Sequence, residues 1–142
     1  MTQPNAQALS SRYAQALSDA LATVEQLDAD DMRRQSPENQ CSVAALAAHV
    51  ASVHETVAGW VQTLVAGEAL PPITMSDIDR NNADGAARNA DLGKDEVMAR
   101  LRASGATMTA VLRRLDDKDL KRSGSFTLAG GEIDVQSLVE AA

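Results

Sequence analysis

Aromatic residues are almost missing: Tyr13, Trp60 and Phe126 are the only three in 142 positions. A core must therefore be assembled from Leu, Val, Ala and Met. Cysteine occurs once, at Cys41, so no disulfide within the chain is possible, and a reducing, cytoplasmic setting is expected. Glycine (8) and proline (4) are too few for a fibrous or low-complexity chain. No apolar run reaches the roughly 18 residues that a membrane-spanning helix requires. The start, MTQPNAQALSSRY, lacks the basic and apolar regions of a signal peptide. Basic charge is also short: 13 Lys and Arg against 20 Asp and Glu leave a net charge of −7. Phosphate recognition needs clustered cations, so neither a nucleic acid nor an anionic membrane is an expected partner.

What is abundant is alanine, with 26 residues, and helical periodicity. Leu9, Tyr13, Leu17, Leu21, Val24 and Leu27 recur at steps of three and four, predicting an amphipathic helix over about residues 5–28. An acidic stretch with Asp28, Asp30 and Asp31 reads as a solvated turn, and Ser36-Pro37-Glu38-Asn39 as a loop, since Pro37 cannot continue a helix. Ser42 is a suitable N-cap for a second helix, about 42–66, with Leu46, Val50, Val53, Val57, Trp60 and Leu64 along one stripe. Pro71-Pro72 forbids helix, and the polar stretch up to residue 93 reads as a long crossover holding one short helix near 76–89. A third helix is predicted over about 94–115, acidic at its start and basic at its end, which complements the macrodipole. Two short extended pieces around Gly130-Gly131 predict a minor hairpin near 123–133. Asp134 then caps a fourth helix, 135–142, which reads as short and as ending mid-element. No repeat or linker divides the chain, so residues 1–142 read as one all-α domain.

Few residues suggest chemistry. His49 and His54 flank the stripe of the second helix, each about 70° from its centre. Five residues apart, they diverge by about 140° and cannot readily clamp one ion. For a lone histidine beside an apolar stripe the ordinary reading is a half-buried, hydrogen-bonded side chain; metal or acid–base use is the alternative. Ala58 stands where a zincin motif beginning at His54 would need its second histidine. Cys41, at a helix start, favours a thiolate but has no local base. Asp28, Asp30 and Asp31, and likewise Asp77, Asp79, Asn81 and Asp84, lack the closing Glu of a calcium loop.

The segment Cys41-Ser-Val-Ala-Ala-Leu-Ala-Ala-His49-Val-Ala resembles the start of the second helix in the DinB/YfiT-like superfamily, with Cys41 where a Trp is usual. The crossover PPITMSDIDRNNADGAARNADLGKDEVMARLRA and the stretch LDDKDLKRSGSFTLAGGEIDVQSLVEAA resemble the corresponding passages, so the likeness covers nearly the whole chain. It implies a four-helix bundle with up-down-down-up connectivity, its long link joining helices two and three, and a homodimer. Members are regarded as metalloenzymes. Some relatives are maleylpyruvate isomerases and S-transferases dependent on mycothiol or bacillithiol. By position, His49 is the implied metal ligand, aimed into the mouth between packed helices, and two further ligands are expected on the fourth helix beyond Ala142. Zinc or nickel, a low-molecular-weight thiol and a small-molecule substrate are thereby implied. Two functional classes follow: a metal-dependent thiol transferase, isomerase or hydrolase, or a non-catalytic dimerising module with an incomplete metal site.

Overall fold

The computed structural model describes residues 5–37 and 41–142. Residues 1–4 of the polar start and 38–40 of the expected loop lie outside them. The chain is mostly helical, with one two-stranded sheet.

Helix α1 spans Ala6–Glu25. The Asn5 side chain accepts from the backbone N–H groups of Gln7 and Ala8, at 2.8 and 3.1 Å, and so satisfies two of the amides that a helix start leaves free. The next element departs from expectation. Residues Ala29–Arg33 form a short helix, α2, where a solvated turn was predicted. Asp28 accepts from the Asp31 N–H at 2.8 Å and Asp31 from the Asp28 N–H at 3.1 Å, a reciprocal capping box. The backbone bond from Asp31 is the main reason the Asp28 carboxyl lies below its ordinary value. These carboxylates therefore hold a helix end, and Met32 beneath them is buried.

Helix α3, Val43–Val65, begins at Ser42, whose Oγ accepts from Ala45 N–H at 3.1 Å and donates to the Ala90 carbonyl at 2.8 Å. One hydroxyl thus starts α3 and ties it to the end of the crossover. The crossover carries α4, Met75–Asn89, a regular helix of 15 residues opened by a Thr74–Asp77 capping box. None of its residues is buried.

Helix α5, Lys94–Arg113, packs against both α1 and α3. At its start, Lys94 Nζ donates to the carbonyls of Glu25 and Leu27, at 2.7 and 3.2 Å, closing the end of α1. Midway, Gly105 is buried against α1: an added Cβ would collide with the Leu17 methyl groups. Strands β1 (Ser123–Phe126) and β2 (Gly131–Asp134) pair antiparallel, Ser123 opposite Asp134 and Phe126 opposite Gly131. Gly130 turns the hairpin with φ +70°, a value costly for other residues. Asp134 then accepts from Ser137 N–H at 2.8 Å and opens α6, Val135–Glu140, which buries Val135, Leu138 and Val139 against the body.

The buried side chains form two clusters. The larger joins Leu9 and Tyr13 of α1, Val57, Val61 and Leu64 of α3, Met108 and Leu112 of α5, Phe126 and the apolar face of α6. The smaller joins Val24, Met32, Ala44, Ala51, Val97, Met98 and Leu101 at the opposite end of α1, α3 and α5.

Candidate metal centre and the buried histidine

The two histidines of α3 meet different fates. His49 is exposed. It makes no hydrogen bond or ion pair with the described residues, so both ring nitrogens remain free. The ring is open to solvent rather than enclosed by the described helices. Position 49 lies on the turn where Leu46, Val50 and Val53 are only half-buried, and no described element covers it.

His54 is the buried one, 7% exposed. Its Nδ1 lies 2.9 Å from the hydroxyl of Tyr13 on α1, and the two rings meet edge-on, 5.2 Å between centroids at 70°. Burial pushes the Tyr13 phenol up to about 12 and the His54 imidazolium below its ordinary 6.5, so both groups are neutral near pH 7. A phenol that keeps its proton must place it, and among the described residues its acceptor is Nδ1. Tyr13 therefore donates, His54 accepts at Nδ1, and the ring proton resides on Nε2. Periodicity alone does not reveal this pair, because the partners stand 41 residues apart. The available signal is a lone tyrosine on the apolar stripe of α1, whose hydroxyl needs a partner once buried.

The other candidates are drawn into local structure. Cys41 is half-buried just before the N-cap of α3, and its carbonyl accepts from Ser36 N–H at 2.7 Å. Asp77 serves the α4 cap and pairs with Arg80 at 3.1 Å, and its carboxyl is lowered chiefly by the backbone bond from Thr74. Among the described residues no group of three or more His, Cys, Asp or Glu stands close enough to hold a metal ion. A catalytic zinc takes three protein ligands, and here His49 stands alone, so the described donor set does not fit a metal by itself.

Against known proteins, the model of one family, the DinB superfamily, matches residues 12–142, a span that includes Tyr13, His49 and His54. No curated protein and no solved structure matches the chain.

Proposed function

The chain belongs to the DinB superfamily, and from that premise we propose a metal-dependent protein of small-molecule chemistry, an S-transferase or isomerase using a low-molecular-weight thiol, or a hydrolase. In this reading α1, α3, α5 and α6 are the rods of a four-helix bundle, up-down-down-up, and α4 lies in the crossover. His49 supplies one imidazole to a divalent ion, zinc or nickel. The observation that carries the assignment is the contrast on α3: His54 has its Nδ1 engaged, whereas His49 keeps both nitrogens free to bind. Such an ion would supply Lewis acidity. The residues on hand do less: His49 would offer a lone pair on the exposed side of α3, on the same helix as the half-buried Leu46, Val50 and Val53. Since one imidazole holds an ion weakly, the reading requires donors besides the described ones.

Elemental analysis of untagged protein tests it. Bound zinc or nickel that disappears in His49→Ala is the expected result; less than about a tenth of an equivalent of any divalent transition metal overturns it.

A second reading rests on the half-buried face itself. Leu46, Val50 and Val53 form an apolar strip that a second copy of the chain would cover, making a non-catalytic homodimeric module. Sedimentation separates the two: this reading expects a dimer that survives His49→Ala, and a monodisperse monomer rejects it. Among the described residues no helix is long and apolar enough to cross a membrane.

A further inference from the structure

Sulfur is placed unevenly in the fold. Met32, Met98 and Met108 are buried, at 2%, 3% and 0% exposure. Met75 is 60% exposed, and among the described residues it is the one large apolar side chain left so open. A flexible thioether suits a core, where it fills irregular gaps. The buried three are used in that way: Met32 and Met98 belong to the smaller cluster and Met108 to the larger. Met75 fills no such gap. It is the first residue of α4, and that helix start is held by the Thr74–Asp77 capping box, not by the side chain between them.

The chain around Met75 is open as well. Pro71, Pro72, Thr74 and Ser76 are exposed, and residues 71–74 precede the helix. A dissolved oxidant reaches this sulfur directly, and so does an enzyme that must grip the backbone beside it. The buried sulfurs are reached only when the core opens.

We propose that Met75 is a site of reversible oxidation: hydroperoxides convert its thioether to the sulfoxide, and a dithiol-dependent methionine sulfoxide reductase is the partner that restores it. In the forward step the sulfur lone pair attacks the terminal oxygen of the hydroperoxide. The S–O bond forms as the O–O bond breaks, and sulfur gives up two electrons. The proton of the transferred oxygen passes to the departing one, which leaves as water from hydrogen peroxide or as an alcohol from an organic hydroperoxide. In the return step two thiols become one disulfide, the S–O bond breaks, and the oxygen leaves as water. The fold tolerates the change here, because the sulfoxide oxygen stands in water. At Met32, Met98 or Met108 the same oxygen would be a buried polar atom. The site uses neither histidine, so it stands or falls apart from the metal reading.

The test treats the whole chain with millimolar hydrogen peroxide and follows each added oxygen by peptide fragment spectra, those on Cys41 included. Oxygen is expected at Met75 at least about tenfold faster than at Met32, Met98 and Met108, with the four rates converging in urea. Protein oxidised at Met75 alone should keep its urea midpoint, and reductase with dithiothreitol should remove that oxygen from the folded chain. In Met75→Leu the three buried methionines should stay unoxidised over the same interval. Oxidation of any of those three at the Met75 rate overturns the proposal, and so does a lowered midpoint. So does a sulfoxide that the reductase removes from the isolated peptide but leaves in the folded protein.

Discussion

The two ends of the helical body are built on opposite plans. At the hairpin end the core is made of bulk: Phe126 meets Trp60 edge-on at 5.0 Å, and leucines from α1, α3, α5 and α6 close around them. At the far end the core is made of proximity. Ala44 and Ala51 on α3 are almost fully buried against Val97, Met98 and Leu101 of α5, and Met32 of the short α2 plugs what remains. Bulky side chains hold helices apart and fill the space with many dispersion contacts, whereas alanine lets backbones approach and leaves little to remove. One end is therefore vulnerable to loss of volume and the other to gain of it.

Substitutions can break or sharpen that contrast. The largest effect is expected for Phe126→Ala, which empties the space under Trp60 and should cost about 3–5 kcal/mol in urea unfolding followed by far-UV circular dichroism. A cost under about 1 kcal/mol would mean the hairpin end does not depend on bulk. Ala51→Leu is the converse at the far end: overpacking there should cost about 1–3 kcal/mol by the same measurement. Unchanged or improved stability would show a cavity where close contact is drawn.

Between the two ends lies His54, whose contribution depends on pH. Burial holds its pKa below the unfolded value of 6.5, so as pH falls the unfolded chain takes up the proton first. The stability of the neutral pair is fully present above about 6.5 and is lost as pH falls through the depressed native value. Urea midpoints from about pH 8 to about pH 5 should fall more steeply for the wild type than for His54→Asn; parallel curves would remove His54 from the account. The smallest effect concerns α4. Gly85 lies inside that helix with nothing within 4 Å of an added Cβ, so Gly85→Ala should stabilise by about 0.5–1 kcal/mol. Hydrogen exchange checks the location: α4 amides, with no buried side chain above or below them, should exchange before those of α3 and α5 and slow down in the variant.

How far these features are legible in the residues depends on how local their causes are. The stripe Val57, Val61, Leu64 of α3 and its Ser42 cap are written within one stretch of chain, and so is the hairpin turn at Gly130. The Asp28–Asp31 box is equally local. Five residues are too few to show a period, so the stretch reads as a solvated turn, and the burial of Met32 against the far cluster favours the helix. The short helix expected near 76–89 is α4, Met75–Asn89: its Thr74–Asp77 cap and contact with α3 carry it through four turns despite Asn81, Asn82 and Gly85. For the candidate site the limit is sharper. Symmetry about the stripe centre makes His49 and His54 equivalent on α3 alone, and what distinguishes them is a tyrosine on another helix. The family likeness pointed to His49, while the packing singled out His54.

Because Tyr13, Trp60 and Phe126 all belong to or pack on the larger cluster, every intrinsic chromophore of the protein reports from one pole. Fluorescence and near-UV dichroism are blind to the other. Melting confined to α2 and the first turns of α3 and α5 would leave the tryptophan emission unmoved, whereas the methyl resonances of Met32 and Met98 would record it at once.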